Sequence, residues 1–368
     1  MIKVGTSLLR GSEQRDTAAV IADLAAALSA RRRLGEQLVL VTSGAVGLGC
    51  AALALPSRPT EVVALQAAAA VGQGRLMGLY EGAFAGHGVP VAQVLLTRGD
   101  LASRRRYQNA SSTFEQLLGW GVVPIVNEND TLATDELRFG DNDTLSALVA
   151  AAIAADELIL LTDVDRLYSG DPRRDATARP IEEVRDLLEL ERLSSAAGSG
   201  GQWGTGGMTT KLAAARIATS SGIRVHLGDG RDPTVLTGLL AGERLGTVFQ
   251  PSVHPLPDRK GWLAHALLPK GSLIVDAGAE KALIEQGASL LAVGIQAVEG
   301  LFSRRDAVRL LSRDGRELGR GLTALSSEEL QQVIGLCSDA MQQRLGPVGE
   351  EVVHRDHLVI TCLEAPPP

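Results

Sequence analysis

The stretch from residue 122 to residue 150 constrains the fold of this chain more than any other. A β-branched run at 122–126 stops at the polar cluster NEND (127–130), and a second polar cluster, DND (141–143), leads into an Ala/Leu run of helical character. A buried strand that ends in amides and carboxylates, followed by a helix, predicts a ligand site at the carboxyl edge of a sheet. On this stretch alone, an acidic surface loop followed by an N-cap aspartate is an equally acceptable interpretation.

Strand-like and helical stretches alternate along the first part of the chain. The strand-like runs are 38–42, 89–97, 122–126, 158–162 and 223–227, and the helical stretches are 14–33, 60–86, 104–119, 143–155 and 208–221. Unbroken apolar runs that alternate with helices predict a mostly parallel sheet covered by helices on both faces, which is a three-layer α/β sandwich.

Proline marks a change of organisation further along. Pro251, Pro255, Pro257 and Pro269 make the sequence irregular between 247 and 270, which indicates a domain boundary. We therefore predict a first domain at 1–250, a linker at 251–268, a small β-rich domain at 269–347 and a C-terminal tail at 348–368. The small domain shows strand candidates at 272–275, 289–291, 308–311 and 316–322, and a helix near 279–286.

Composition excludes several classes of protein. The net charge of −7 argues against a general nucleic-acid binder, which would be basic overall. The three cysteines are far apart and lack metal-binding spacing, as expected for a reducing cytoplasm. The chain shows no signal sequence, and the apolar run at 147–155 is too short to span a bilayer. We expect a cytoplasmic protein without a membrane segment.

Lysine is scarce, and its positions are informative. Five of the 36 basic residues are Lys, and the first 250 residues hold two, Lys3 and Lys211, each beside glycine and hydroxyl residues. An ammonium group on a flexible stem suits the neutralisation of phosphate. Coincidence is the alternative explanation.

Glycine or polar loops follow the predicted strands. They begin at 5, 43, 127, 163 and 228, all at one edge of the predicted sheet. Glycine is ordinary punctuation at such turns, but it also lets backbone N–H groups approach an anion at a helix N-terminus. The P-loop and G-x-G-x-x-G patterns are absent, which disfavours a P-loop enzyme or a dinucleotide dehydrogenase.

Arginine forms a locally basic run in the second half. Its members are Arg304, Arg305, Arg309, Arg313, Arg316 and Arg320. The surrounding domain is nearly charge-balanced, so a solvated face and an RNA-binding face are both open interpretations.

Five motifs together resemble those of the amino acid kinase family. They are KVGTSLL from Lys3, VTSGAVGLG from Val41, VNENDTLATDELRFGDNDTLSAL from Val126, LTDVDRLY from Leu161 and GTGGMTTKL from Gly204. The resemblance covers residues 1–250. With the PUA-like segment that begins near 259–262, it points to the branch of the family that acts on glutamate.

The resemblance implies an activity and its partners. The reaction is the ATP-dependent phosphorylation of the γ-carboxylate of L-glutamate to L-glutamyl 5-phosphate, the first step of proline biosynthesis, with Mg²⁺ bridging the ATP phosphates. It also implies a homo-oligomer (dimer or tetramer), proline as a feedback inhibitor near 130–143, and possible weak RNA contact through the PUA-like domain. The alternatives are an aspartate or N-acetylglutamate kinase, or an RNA-binding regulatory protein.

The resemblance also assigns roles to residues. Lys3 and Lys211 would lie on the transferring phosphoryl group, with Asp143 holding both, and Gly5 and Gly44 would offer backbone N–H groups. Ser43, Asp130 and Asn142 would bind glutamate, with Asp130 on its α-ammonium and Asn142 donating to its α-carboxylate. The ATP-binding set is Lys3, Gly5, Thr162, Asp163, Thr205, Gly206, Gly207, Met208, Thr209, Thr210 and Lys211, and no protein ligand to a metal is expected.

The reaction needs little covalent help from the protein. A carboxylate nucleophile is already ionised at neutral pH, so the site needs positive charge rather than a general base. This agrees with the absence of histidine from the motifs.

The chain departs from the family pattern in two places. The first strand is unusually short, and Arg166 replaces a usual glycine. If the turn at Arg166 requires a positive φ, we expect a strain of about 1–2 kcal/mol.

Overall fold

The computed structural model describes residues 1–10, 15–132, 141–173, 175–198 and 207–362. The chain divides into two compact units, Met1–Pro255 and Leu256–Pro368.

The first unit alternates strands and helices. Its strands are β1 Ile2–Val4, β2 Leu40–Val41, β3 Val91–Leu96, β4 Val123–Glu128, β5 Glu157–Thr162, β6 Leu167–Tyr168, β7 Pro180–Ile181, β8 Glu183–Val184, β9 Arg224–Asp229 and β10 Thr247–Phe249. Its helices are α1 Thr6–Leu9, α2 Thr17–Arg33, α3 Ala45–Ala52, α4 Val62–Ala85, α5 Arg98–Ala102, α6 Arg104–Gly119, α7 Asn142–Ala152, α8 Leu187–Gly198, α9 Gly207–Ser220 and α10 Pro233–Leu240.

Within the described residues, eight strands form one sheet in the order β3-β4-β2-β1-β5-β9-β10-β8. Neighbouring strands are parallel except β9 and β10, which pair antiparallel. The central strands are buried on both faces because their runs are continuously apolar. The predicted α/β class with a mostly parallel sheet is confirmed.

The register of the sheet aligns the strand ends that carry the polar motifs. Lys3 on β1 pairs with Val41 on β2 and with Leu160 on β5, and Val41 pairs with Val126 on β4. Four parallel strands therefore end within one or two residues of each other. Their following residues share the carboxyl edge of the sheet.

Helices α3 and α4 pack closely beside this edge because each helix places a glycine against the backbone of the other. A β-carbon added at Gly49 would lie 1.7 Å from the backbone oxygen of Ala68, and one added at Gly72 would lie 1.8 Å from that of Ala45. Gly44, the N-cap of α3, has φ +105°, a conformation that L side chains rarely adopt. Glycine thus sets both the start of α3 and its distance from α4.

Among the described helices, one is long and apolar enough to cross a membrane by length and composition, and it is α4. Its Tyr80 and Phe84 are fully buried, and it packs on α2 and α3. Ala and Gly make up much of its sequence.

The second unit contains its own sheet. Its strands are β11 Gly271–Val275, β12 Leu290–Leu291, β13 Ile295–Gly300, β14 Ala307–Leu311, β15 Glu317–Leu322, β16 Glu351–Val353 and β17 Leu358–Ile360. Its helices are α11 Asp258–Gly261, the π-helical turn Trp262–Ala266, α12 Ala277–Gln286, α13 Ser327–Val333 and α14 Ser338–Leu345. Five strands form a sheet in the order β13-β11-β14-β15-β17 within the described residues, and β12 pairs with β16.

Two segments outside the predicted β-rich domain are part of this unit. Residues 351–360, assigned to a tail, contain β16 and β17, and β17 pairs with β15. Residues 258–266, assigned to a linker, form helical turns whose Trp262 and Leu263 are buried. The Lys260 Nζ donates to the backbone oxygens of Arg355 (2.7 Å) and Leu358, which joins the two segments. Short strands of this kind have no local signature, because partners distant in the chain complete their hydrogen bonds.

Candidate active site

Two buried ammonium groups share one carboxylate at the carboxyl edge of the first sheet. The Lys3 Nζ lies 2.5 Å from Asp143 Oδ1, and the Lys211 Nζ lies 3.2 Å from Asp143 Oδ2. Thr210 Oγ1 also donates to Asp143 Oδ2, at 2.7 Å. The side chains of Lys3 and Asp143 are each 7% exposed and that of Lys211 is 14% exposed, so water screens these charges poorly.

Three elements bring these groups together. Lys3 lies in the central strand β1, Asp143 in the first turn of α7, and Lys211 in the first turns of α9. Helix α7 packs on β1, β5 and α9, and its side chains are buried from Asn142 to Ala150. Asp141 caps α7 by accepting from the backbone N–H of Thr144 at 3.1 Å. A rigid, buried helix therefore fixes the Asp143 carboxylate.

Burial and charge act together on the pKa values of the cluster. Burial raises the pKa of Asp143, but the charges of Lys3 and Lys211 outweigh it and hold the pKa below its ordinary value. Burial lowers the pKa of Lys3, and Lys211 lowers it further against the attraction of Asp143. Two ammonium groups facing one carboxylate carry one net positive charge, which suits an anion.

Gly5 and Gly44 flank the cluster in different ways. A β-carbon at Gly5 would stand 3.7 Å from Lys3 Nζ, so glycine leaves space beside the ammonium group. Gly44 lies between Ser43 and the first residue of α3, and its left-handed backbone directs the start of that helix.

Ser43 and Asn142, both predicted to bind substrate, belong to one buried hydrogen-bond network. Asn142 Nδ2 donates to Ser43 Oγ (2.9 Å) and to Asn127 Oδ1 (3.1 Å). Asn127 Oδ1 also accepts from the backbone N–H of Glu128 (2.9 Å), and Asn127 Nδ2 donates to Gln73 Oε1 (2.8 Å). Neither Asn127 nor Gln73 is among the site residues predicted from the sequence.

The geometry of Asn142 differs from the predicted role in one respect. Both hydrogens of its Nδ2 face protein acceptors, whereas its Oδ1 is buried without a partner among the described residues. The open atom is thus an acceptor, which suits an ammonium group rather than a carboxylate.

Asp130 lies in a single 3₁₀ turn, Asp130–Leu132, which packs against α4. Burial raises the pKa of Asp130 to about 6, and the charge of Arg58 opposes this increase. The carboxylate thus lacks a full counter-charge and suits a cationic group such as an α-ammonium.

The predicted nucleotide residues lie on two elements of the same edge. Thr162 ends β5 and is buried, and its Oγ1 lies 3.1 Å from Oδ1 of the exposed Asp163. Gly207, Met208, Thr209, Thr210 and Lys211 open α9, where N–H groups and the helix dipole favour anions. Thr205 and Gly206 lie outside the described residues.

Arg166 does not strain its turn. Positive φ among described non-glycine residues occurs at Ala54, Ala154 and Arg305, and Arg166 is not among them. The Arg166 guanidinium donates to Asp165 Oδ2 at 2.9 Å and lies 3.7 Å from Glu182. The condition for the expected strain is therefore not met.

The arginine run of the second unit is partly neutralised. Arg304 pairs with Glu329, Arg316 with Glu280 at 2.6 Å, and Arg320 with Glu317 at 2.7 Å. These pairs lower the positive field that an RNA-binding face requires. In the described residues, no group of three His, Cys, Asp or Glu could hold a metal ion.

Comparison with known protein families assigns the two units. The amino acid kinase family matches residues 1–229, which is more than half of the chain. The chain belongs to the amino acid kinase family. The PUA domain matches residues 271–345.

Curated relatives match this family member almost from end to end. The glutamate 5-kinases of Synechococcus sp. (strain CC9902) and Parasynechococcus marenigrum (strain WH8102) are 61% and 62% identical to it over 360 residues. Glutamate 5-kinase of Prochlorococcus marinus (strain MIT 9313) is 61% identical over 360 residues. Each alignment covers 98% of this chain and 98% of the relative.

Proposed function

We propose that this protein phosphorylates the γ-carboxylate of L-glutamate with ATP, giving L-glutamyl 5-phosphate in the first step of proline biosynthesis. One observation carries the proposal: Lys3 and Lys211 converge on Asp143 beside a buried amide network. The arrangement combines a place for a transferring phosphoryl group with a place for a polar amino acid. The glutamate 5-kinase relatives support the choice of substrate.

The lysines stabilise the charge that develops during transfer. A phosphoryl group in flight between two oxygens spreads negative charge over its equatorial oxygens, and fixed cations nearby lower the barrier. Asp143 holds both ammonium groups in place before substrate arrives. Because the groups are pre-positioned and poorly solvated, little reorganisation is needed at the moment of transfer.

Glutamate needs orientation rather than activation. Its γ-carboxylate is ionised at neutral pH and can attack the γ-phosphorus of ATP directly. We assign Asp130 and Asn142 Oδ1 to the α-ammonium, because both present acceptors. Ser43 joins the same network through Asn142.

The first turn of α9 suits the phosphates of ATP. Its N–H groups lie with the Lys211 ammonium and the Thr210 hydroxyl, both of which contact Asp143 Oδ2. We assign Mg²⁺ to the ATP phosphates with few protein ligands, as is common for this ion. When bound, it neutralises charge on the leaving group.

The competing substrates are aspartate and N-acetylglutamate. An assay that traps the acyl phosphate as a hydroxamate should give product with L-glutamate and ATP, and much less with either competitor at equal concentration. A chain that prefers aspartate or N-acetylglutamate would overturn the substrate assignment but keep the family chemistry. A chain that transfers phosphate to none of the three would overturn the proposal.

We further infer, on the strength of the family, that the protein is a cytoplasmic homo-oligomer that proline inhibits near residues 130–143. Asp130 and Asp141 to Asp143 are described at the two ends of that segment, beside the glutamate residues. Adding L-proline to the hydroxamate assay should raise the glutamate concentration needed for half-maximal rate. Sedimentation in the same buffer measures the assembly.

A further inference from the structure

Gln73 is a half-buried residue of α4, and its Oε1 accepts from Asn127 Nδ2 on β4. It follows Gly72, whose α-carbon approaches the backbone at the start of α3 so closely that no side chain fits. Helix α4 also packs against the 3₁₀ turn that begins at Asp130. Gln73 thus belongs to the helix that packs against both α3 and the turn of Asp130.

One backbone group sets the orientation of every amide in the network. The N–H of Glu128 can only donate, so the atom of Asn127 that faces it must be Oδ1. Asn127 therefore presents Nδ2 to Gln73, which must accept this hydrogen bond with Oε1. By the same logic, Asn142 must present Nδ2 to Asn127 Oδ1. Reversing any one amide would set two acceptors or two donors against each other.

This orientation leaves two buried polar atoms open, one at each end of the chain of amides. Gln73 Nε2, a donor, and Asn142 Oδ1, an acceptor, have no hydrogen-bond partner among the described residues. A buried polar group without a partner costs free energy, so such groups in a ligand site are candidates for ligand contacts. An α-amino acid carries both complementary groups, a carboxylate and an ammonium.

The order of residues along the network says which group each atom meets. Asn142 is next to Asp143, where the phosphoryl group is transferred, while Gln73 is two hydrogen bonds further away through Asn127. A substrate phosphorylated on its γ-carboxylate must point its α-carbon away from Asp143. The α-carboxylate therefore meets the donor at the far end, Nε2 of Gln73, and the α-ammonium on the same carbon meets the acceptor, Oδ1 of Asn142.

We propose that Gln73 Nε2 donates a hydrogen bond to the α-carboxylate of the substrate and so contributes to selecting an α-amino acid. The proposal rests on the proposed function and names a specificity residue within the same site. Asn127 acts as a positioning residue, because it holds Oε1 of Gln73 and thereby directs Nε2 to the substrate.

Two substitutions separate a substrate contact from a structural role. Gln73→Glu keeps an oxygen to accept from Asn127 but replaces the open donor with a carboxylate oxygen, which repels an α-carboxylate. Gln73→Met removes both interactions at similar volume. We expect each to raise the KM for glutamate by roughly 10-fold or more, the usual effect of losing a hydrogen bond to a charged group. The KM for ATP should remain near that of the unmodified protein.

The matched control is Gln116→Glu, the same chemical change on an exposed position of α6. Its KM for glutamate should equal that of the unmodified protein. Circular dichroism and thermal unfolding of every variant report whether the fold is retained.

A substrate analogue tests the same contact without relying on a variant that folds. L-Isoglutamine keeps the γ-carboxylate and the α-ammonium but carries an α-amide in place of the α-carboxylate. The unmodified protein should use it with a kcat/KM at least roughly 10-fold below that for glutamate. Gln73→Glu should reduce or reverse that preference, because its carboxylate can accept from the amide.

The outcomes are distinct. A KM for glutamate near normal in Gln73→Glu, with or without a defect in Gln73→Met, would overturn the proposal, since the donor would then not contact substrate. Equal use of isoglutamine and glutamate by the unmodified protein would also overturn it. Failure of the unmodified protein to phosphorylate glutamate at all would instead overturn the proposed function.

Discussion

At the scale of single residues, the site combines two kinds of buried charge. Lys3, Lys211 and Asp143 form a cluster in which opposite charges satisfy each other and leave one positive charge for an anion. Asp130 is the reverse case, since burial acts on its carboxylate with only the charge of Arg58 against it. The first arrangement suits catalysis and the second suits binding, so their variants should affect different kinetic constants.

Lys211→Ala should lower kcat by roughly 10²-fold or more, because one fixed cation on the transferring group is lost. Lys3 still pairs with Asp143, so the variant should remain folded. Steady-state kinetics with glutamate and ATP varied in turn provide the measurement, with the exposed Lys281→Ala as the control. An unchanged kcat with a raised KM would contradict a catalytic role.

Asp130 should make glutamate binding depend on pH. Its pKa in the folded protein is about 6, so the carboxylate becomes neutral as the pH falls below that value and loses its attraction for the α-ammonium. We expect the KM for glutamate to rise between pH 7 and pH 5 while kcat changes less. A KM that stays constant over this range would argue against Asp130 as the ammonium partner.

The raised pKa of Asp130 also predicts how the stability of the protein changes with pH. Between the ordinary pKa of 3.8 and about 6, the folded protein retains a proton on Asp130 that the unfolded chain has released, so the free energy of unfolding falls as pH rises through this window. Asp130→Asn removes that loss and should unfold at a higher temperature than the unmodified protein at pH 7 without glutamate. Its KM for glutamate should rise roughly 10-fold.

At the scale of elements, the contact between α3 and α4 lies beside the proposed substrate residues. Gly72 allows the contact, and its neighbours along the two helices include Ser43 before α3 and Gln73 in α4. The helices carry few charged residues, so packing rather than ion pairing sets their separation. A change in that separation should therefore reach the site directly.

Gly72→Ala should destabilise the protein by about 1–3 kcal/mol and raise the KM for glutamate, because its methyl group would overlap the backbone oxygen of Ala45. Gly78→Ala on the same helix meets nothing within 4 Å and should stabilise by up to about 1 kcal/mol. Urea unfolding of the pair gives the comparison. Equal stabilities would show that α3 and α4 tolerate a wider spacing.

At the scale of the whole molecule, the candidate active site and the second unit belong to different parts of the chain. The described candidate residues, from Lys3 to Lys211, lie within Met1–Pro255. The second unit has its own apolar core, which includes Leu273, Leu310 and Leu330. Each unit has the internal packing expected of a domain.

A chain that ends at residue 347 should lose the stability of the second unit, since it lacks β16 and β17. These strands bury Val352, Val353, Leu358 and Val359, each worth about 1.5–3 kcal/mol of burial. Limited proteolysis should then cut within 256–347, whereas a chain that ends at residue 362 should resist as the full chain does. Resistance in the shorter chain would mean that the β-rich domain ends at residue 347, the predicted boundary.

The sequence alone determines the sheet of this protein and which of its strand ends carry candidate residues. Apolar runs that must be buried on both faces leave few options other than a parallel sheet, and the strand ends carry Lys3, Asn127 and Thr162 to one edge. These signals are local, so they can be read from short windows of sequence. Lys211 can be identified as a candidate residue in the same way, because lysine is scarce and this one stands beside glycine and hydroxyl residues.

Only the tertiary structure decided the rest. Gln73 and Asn127 are 54 residues apart and meet because α4 packs on α3 through glycine, a contact that no short window reveals. The pairing of β17 with β15 likewise depends on the folded second unit. The direction of each buried amide follows from one backbone N–H of β4, and that geometry exists only after the strands and helices have assembled.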